Sequence, residues 1–278
     1  MKRVVISALL LMVIGICGSV EAPLKQVMID IHHSVEGANP EVNMVAITKI
    51  LADFTFEIKD EPLTENLLQE YDVVMLYQPY ANLDDAEIEA LVEFVRKGGG
   101  LIICGEHDVG WNDSSRSTYN KLGKTFGIIF TSNAVDDPTD KMGCYCTPII
   151  HNMAEHPLTE GVTQIVLYKP CALRISADVV AVARGDDDSK TIGAEQITGE
   201  DIVVVAVAEY ERGKVVVTGS HTVFDDSFIN QPDNQTFSIN VFNWVSEQAV
   251  PKDNSWVTMA GILVIAAVLV LVIVLKKR

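Results

Sequence analysis

Three short stretches of this chain gather imidazoles and carboxylates: Asp30 with His32 and His33, Glu106 with His107 and Asp108, and His221 with Asp225 and Asp226. Brought into one crevice, such groups are the ingredients of a divalent-metal site or of an acid/base pair, since one group can hold a proton or metal while another fixes its tautomer. A plainer reading stands beside this one: acids and histidines at strand ends often only cap and hydrogen-bond the loops that follow. No metal motif of fixed spacing is present, which favours the plainer reading. A divalent metal is the one cofactor class these residues suggest. Ser220, His221 and Asp225 do not make a triad by adjacency, because groups that act together must converge in space and neighbours on a strand end point to opposite faces.

The sequence has five cysteines. Cys104, beside His107, is an activated thiolate only if an imidazole or a helix amino end lowers its pKa; a buried, inert strand cysteine is the expectation. Cys144, Cys146 and Cys171 are disulfide candidates in a domain read below as exported. The first two are too close in sequence for an easy mutual bond, so Cys171 is expected to pair with one of them. A rival arrangement is a metal knot of Cys144, Cys146, His151 and His156.

Whether the His and acid stretches meet depends on the elements that carry them, and Tyr71 to Asp108 is the most explicit part of the chain. Val73 to Tyr77 is an unbroken apolar run, suited to a strand buried on both faces. Asp84 can cap the next helix, with Glu87 completing a capping box and Leu83 stapling onto Ile88. Ile88, Leu91, Val92 and Val95 form one apolar stripe, Arg96 and Lys97 meet the negative end of the dipole, and Gly98 supplies a left-handed cap. Leu101 to Cys104 is a second buried strand, and a helical crossover between such strands makes them parallel, right-handed neighbours. Their carboxyl ends then share the sheet edge that carries the ligand crevice in open α/β folds, which draws attention to Gln78–Tyr80 and Gly105–Asp108.

Val27 to Ile31 reads as a first strand ending at Asp30, His32 and His33. Asn39 caps a helix with Pro40 at its first position and Met44, Ile47, Leu51 and Phe54 on one face. Phe54 to Ile58 is a second strand, Asp113 to Phe126 a helix, and Ile128 to Phe130 a small strand. This alternation implies an α/β fold, a largely parallel flavodoxin-like sheet with helices on both faces. Thr131 to Pro148 reads as a long loop. From Gln164 the chain is strand-rich: Gln164–Tyr168, Ala172–Ile175, Val179–Ala183, then Ile202–Tyr210 and Lys214–Gly219 joined in a hairpin, together an antiparallel extension of the sheet. Phe237, Val241, Trp244 and Val245 mark a last helix.

The ends have a different character. Residues 1–22 join Met1-Lys2-Arg3 to an apolar run and the small-residue stretch Val20-Glu21-Ala22, the pattern of a signal peptide or, because Pro23 follows, of an uncleaved anchor. Trp256 to Leu275 is a 20-residue apolar segment, long enough as a helix to cross about 30 Å of hydrocarbon. Lys276-Lys277-Arg278 places its far end in the cytoplasm. The expected layout is a leader over 1–22, an extracytoplasmic α/β domain over 23–250, a linker over 251–255, a transmembrane helix over 256–275 and a tail over 276–278. The expected topology is single-pass type I in the cell membrane, with most of the chain outside. Between Pro23 and Ser255 lie 16 basic and 37 acidic residues, a balance that excludes nucleic acid as a partner. Asn112-Asp113-Ser114 and Asn234-Gln235-Thr236 match the N-glycosylation pattern.

Several pieces in order resemble the class I glutamine amidotransferase-like fold, in the exported, membrane-anchored, unknown-function branch related to GldG and the intraflagellar-transport GIFT domain. They are Met28-Ile29-Asp30 with His32, Tyr71-Asp72-Val73 leading to Gly98-Gly99-Gly100-Leu101-Ile102, His156-Pro157-Leu158-Thr159-Glu160-Gly161-Val162, and Gly213-Lys214-Val215-Val216-Val217-Thr218-Gly219-Ser220 before an Asn-rich helix. The likeness spans roughly Gln26 to Ser246 and implies a flavodoxin-like sheet without implying an activity. Active amidotransferases place a cysteine in a Gly-flanked elbow and a His-x-Glu pair late in the chain. Here Ile102-Ile103-Cys104-Gly105-Glu106 lacks the first glycine and the late histidine reads His221-Thr222-Val223-Phe224-Asp225, so amidotransferase activity is not expected. The reading is an extracytoplasmic domain, tethered by its C-terminal span, that binds a ligand or a membrane or cell-surface protein partner. Its rivals are a metal-dependent hydrolase of cell-surface polymer and an accessory subunit of a membrane transport assembly.

Overall fold

Val73–Leu76 and Gly100–Cys104 are buried at every position, as strands covered on both faces must be. The computed structural model describes residues 23–107 and 111–248. Along the chain, the described strands are β1 (Lys25–Asp30), β2 (Phe54–Lys59), β3 (Val73–Leu76), β4 (Gly100–Cys104), β5 (Ile128–Asp136), β6 (Ile149–Ile150), β7 (Asn152–Met153), β8 (Ile165–Val166), β9 (Cys171–Ile175), β10 (Val180–Arg184), β11 (Lys190–Ile192), β12 (Val203–Tyr210) and β13 (Gly213–Thr218). The α-helices are α1 (Pro40–Asn43), α2 (Val45–Ile50), α3 (Glu65–Leu68), α4 (Asp85–Arg96), α5 (Asp113–Thr125) and α6 (Asn234–Val245).

The main sheet runs β11-β5-β9-β12-β13-β4-β3-β1-β2, with β10 and β7 branching from β12. From β2 through β1, β3 and β4 to β13 every pairing is parallel; beyond β13 the pairings are antiparallel. The fold is therefore mixed α/β, with a parallel centre and an antiparallel extension. Alternate residues of each central strand feed two cores. Val27, Ile29, Val73 and Met75 pack with Met44, Ile47 and the α6 residues Phe237, Val241 and Trp244. Met28, Val74 and Leu76 pack on the other face with Leu68, Ile88, Leu91, Tyr119 and Leu122 of α3, α4 and α5.

Helix α4 starts as its sequence requires. Asp84 accepts from the Glu87 amide at 2.8 Å and Glu87 accepts from the Asp84 amide at 2.9 Å, a reciprocal cap of about 1 kcal/mol. At the opposite end the chain must turn sharply into β4. Gly98 takes φ +113°, and a Cβ on Gly100 would lie 2.3 Å from the Val245 carbonyl oxygen of α6. Glycine there lets the last helix lie against the first residue of the central strand.

Four expectations need correction. The helix expected from Pro40 is broken at Met44 into α1 and α2, although Met44, Ile47, Leu51 and Phe54 are all buried as their spacing required. Asn39 makes no side-chain cap; the Asp226 carboxylate, distant in sequence, accepts the Ala46 amide at 2.8 Å in the first turn of α2. The strand at Ile128 continues to Asp136, hidden in the sequence because polar residues are buried among its apolar ones, as where Thr131 donates to the Ala172 carbonyl at 2.8 Å. It is also separated from β4 by β13, β12 and β9. Gln164–Tyr168 contributes only Ile165–Val166, paired with Ile149–Ile150 in a separate two-stranded ladder.

Among the described residues no helix is long and apolar enough to cross a membrane. The leader over 1–22, the linker over 251–255, the span over 256–275, the tail over 276–278 and the candidate Asp108 lie outside the described residues.

Candidate functional site

Strands β1, β3, β4 and β13 lie side by side and parallel, so the turns after Asp30, Leu76, Cys104 and Thr218 share one sheet edge. Two constellations form there, on either side of the turn that follows β3.

The first centres on His33, whose side chain is 4% exposed. Its Nδ1 is 3.1 Å from Asp30 Oδ2 and its Nε2 3.1 Å from the Glu87 carboxylate. Burial alone would lower the His33 pKa, but the hydrogen bonds and charges of Asp30 and Glu87 outweigh it and raise the value. Glu87 also accepts the Leu63 amide at 3.1 Å. One buried carboxylate thus joins the start of α4, the loop before α3 and the end of β1. The ring is a clamp, with neither nitrogen left for a ligand.

The second centres on His221, which begins a 3-10 turn, His221–Phe224, capped by the Ser220 hydroxyl. Its Nδ1 is hydrogen-bonded to Glu106, and its Nε2 is 3.3 Å from Asp225 Oδ2. The Gln78 carboxamide reaches the same Nε2 at 2.6 Å, from a backbone with φ +47°, a left-handed conformation that costs a non-glycine residue about 1 kcal/mol or more. The Tyr77 hydroxyl donates to Asp225 Oδ1 at 2.7 Å, and its ring meets the imidazole edge-on at 5.3 Å between centroids. Burial pulls the His221 pKa down; the hydrogen bonds and charges of Asp225 and Glu106 more than reverse this and hold it at about 9. The two carboxylates therefore favour the charged ring at neutral pH. The Gln78 amide nitrogen is the atom that faces Nε2, so as placed it donates to a neutral ring; the charged ring that the carboxylates favour calls for the amide turned to present its oxygen.

The edge brings together Glu106, His221 and Asp225, and separately Asp30 and His33. His32 touches the first group only from outside: its amide donates to Asp30 Oδ1 at 3.2 Å and its ring meets the His33 ring edge-on at 5.0 Å between centroids, while the side chain is exposed and its Nδ1 turns to Asp60 at 3.1 Å. Asp226 serves α2 instead. His107 is buried. Tyr77, Gln78 and Glu87 belong to these constellations although no motif marked them as site residues. Gln78 was signalled only by its place at the end of a strand, and Glu87 only by its cap.

Cys104 is fully buried and burial pushes its thiol pKa far up, which leaves almost no thiolate at neutral pH. Cys144 and Cys146 are joined to each other, with Cα atoms 5.2 Å apart, and Cys171 is free and buried. This overturns the pairing expected for Cys171, since a tight turn in which the Thr147 amide reaches the Cys144 carbonyl at 3.0 Å brings the near pair together. It removes the metal knot as well, because both cysteines are consumed. His156 is held by its own turn, with Nδ1 accepting the Leu158 amide at 3.2 Å and its ring against Trp244. Asn234 is fully buried and bonded to Val166 and Phe228, so it is no glycan acceptor in the folded domain.

Elsewhere, ligand oxygens of Asp137, Asp186 and Asp188 lie within 4.8 Å of one another, the kind of oxygen set that hard divalent cations take. Asp137 and Asp186 are engaged by Ser189 and by the Thr139 and Asp140 amides, and Asp188 by the Thr139 hydroxyl.

No family model matches the chain and no curated protein matches it. Solved structures do. The mmIFT52 N-terminal domain is similar with a TM-score of 0.66 at 17% identity, covering 81% of this chain and 99% of that one. A cytoplasmic protein from Salmonella typhimurium LT2 matches with a TM-score of 0.55 at 14% identity, over 80% of this chain and 99% of its own. A ThuA-like protein from Bacteroides uniformis matches with a TM-score of 0.51 at 16% identity, over 83% and 94%. At these identities the likeness is one of fold, and it agrees with a glutamine amidotransferase-like sheet.

Proposed function

We propose that this chain is an extracytoplasmic, membrane-tethered domain that binds a ligand or a protein partner at the carboxyl edge of its sheet, without amidotransferase chemistry. The observation that carries this reading is the state of His221. Both ring nitrogens are held by Glu106 and Asp225, and a ring whose pKa these acids hold at about 9 orders the surrounding acids at the sheet edge and is a poor general base at neutral pH. Cys104, the thiol nearest the position an amidotransferase nucleophile would take, is buried and protonated. The Cys144–Cys146 bond agrees with an oxidising compartment, as does the leader-and-span pattern of the ends.

The rival metal-dependent hydrolase would draw its ligands from Glu106, His221 and Asp225, and a metal would have to displace the proton that these carboxylates hold on the ring. Elemental analysis of the purified 23–255 domain tests this. The expected result is no stoichiometric zinc, manganese or iron. A stoichiometric metal that is lost in His221→Ala or His107→Ala would overturn the binding reading. An accessory transport role predicts a permease that co-purifies with the full chain but not with a version carrying a foreign anchor.

A further inference from the structure

Cys144, Tyr145 and Cys146 lie in the loop between β5 and β6. Cys144 and Tyr145 are exposed, Cys146 is half-buried, and the disulfide spans the single residue between them. A bond that closes so short a loop removes little entropy from the unfolded chain, and by the same linkage the fold gives it little protection from reduction. Exposed disulfides are the labile members of their class. Backbone hydrogen bonds nevertheless tie this turn to the domain. The Thr147 amide donates to the Cys144 carbonyl at 3.0 Å, the Asp137 amide to the Tyr145 carbonyl at 2.9 Å and the Lys169 amide to the Cys146 carbonyl at 2.8 Å. The two sulfurs therefore stay within reach of each other when the bond is open. Cys104 and Cys171 are buried and cannot intercept the opened pair.

From this geometry we infer that Cys144–Cys146 is a thiol–disulfide exchange site that oxidises a cysteine pair in an extended polypeptide. It is a second site, and it depends on neither the tether nor the binding edge. One substrate thiolate attacks Cys144 Sγ, on the more exposed of the two residues. The bond between the two sulfurs breaks, and its electron pair leaves on Cys146, which takes up a proton. The second substrate thiolate then attacks the substrate sulfur of this mixed disulfide, and Cys144 leaves as a thiolate that is protonated in turn. The substrate has lost two electrons and gained a disulfide, and the domain holds two thiols. A low-molecular-weight disulfide re-oxidises them. Thr147 is the positioning residue. Its side chain is buried and its hydroxyl lies 3.6 Å from Cys144 Sγ. A disulfide sulfur carries no proton, so the hydroxyl is the donor, and the same donor favours the Cys144 thiolate as it leaves. Tyr145, 60% exposed, and exposed Tyr168, beside the Lys169 amide, put aromatic surface next to the pair, which suits the side chains of an extended chain.

The full chain with Cys17→Ser, in detergent and in catalytic amount, tests this with a reduced two-cysteine peptide as substrate and oxidised glutathione as terminal oxidant. The expected result is peptide oxidation about tenfold faster than with oxidised glutathione alone, and a background rate in both Cys144→Ser and Cys146→Ser. Thr147→Val should slow the reaction several-fold and move the pH profile of Cys144 alkylation upward, and Thr147→Ser should restore both. Near-ultraviolet circular dichroism checks that each variant is folded. Oxidation at the background rate by the folded native chain, or an unchanged rate in Cys144→Ser, would make the bond structural only and overturn the proposal. So would a Cys144–Cys146 bond that reduced glutathione opens only after denaturant is added. A native rate and pH profile in Thr147→Val would overturn the role of Thr147 alone.

Discussion

The Tyr77 hydroxyl donates to the Asp225 carboxylate at 2.7 Å across 148 positions of sequence, fixing the acid that in turn faces His221. Burial, then the charge of Asp225, raises the Tyr77 pKa far above its ordinary value, so the phenol is a permanent donor. Tyr77→Phe removes that donor while keeping the ring, and leaves a buried carboxylate with fewer partners. The expected loss is about 2 kcal/mol, read as a lower urea midpoint with an unchanged slope. An unchanged midpoint would mean that the bond does not hold Asp225.

His221 makes stability depend on pH in a stated direction. Unfolded, its imidazole titrates near 6.5; folded, it titrates at about 9. The folded state holds the proton more tightly, so the contribution is whole below about pH 6.5 and is lost as pH rises toward 9, a change of about 3 kcal/mol. His33, also raised, acts in the same sense. The domain should lose stability between pH 6.5 and 9, and His221→Gln should flatten that slope. Chemical denaturation across the range measures it, and a variant with the same slope as the native chain would remove His221 as its source.

The strand–helix–strand unit around α4 was legible in the sequence because each of its signals is local: an apolar run, a cap, a stripe and a glycine stop. The carboxyl edge could be anticipated from the order of strands. Which residues meet across it could not, because Asp226 and His32 have the same chemistry as Asp225 and His33 and differ only in direction. Asp226 turns to the Ala46 amide and His32 to Asp60. Strand β5 is hard to see in the sequence because alternation of apolar residues fails when polar side chains such as Thr131 and Asn133 are buried in it, Thr131 bonded to the neighbouring strand and Asn133 accepting the Glu195 amide. The disulfide was misjudged from sequence separation alone, whereas the turn geometry decides it.

Glu87 supports three backbone or side-chain donors from three segments: the Asp84 amide, the Leu63 amide and His33. Glutamine offers a single acceptor oxygen, so Glu87→Gln leaves buried groups without partners. The expected cost is about 3 kcal/mol, against about 1 kcal/mol for Asp84→Ala, which loses only the reciprocal cap. Amide hydrogen exchange should accelerate at Leu63 in the first variant and not in the second. Equal effects in both would reduce Glu87 to a capping residue.

The Cys144–Cys146 bond closes a loop of sequence separation 2, so its reduction should lower global stability by only about 1.5 kcal/mol. Its local effect should be larger and directional. The Cys146 carbonyl accepts the Lys169 amide at 2.8 Å. Tyr168, next along, donates to the Thr222 hydroxyl at 3.0 Å and accepts from the Ser220 hydroxyl at 2.9 Å, so the turn bearing His221 is hydrogen-bonded to the segment that the disulfide steadies. Mild reduction of the folded domain should therefore speed hydrogen exchange at Lys169 and Tyr168 while Leu63 is unaffected. Alkylation followed by mass spectrometry should find label on Cys144 and Cys146 alone, with Cys104 and Cys171 protected until denaturant is added, because both are fully buried with thiol pKa values pushed up by burial. Native-state labelling of Cys171, or its recovery in a disulfide with Cys144 or Cys146, would contradict the connectivity and break the link drawn here between that bond and the crevice.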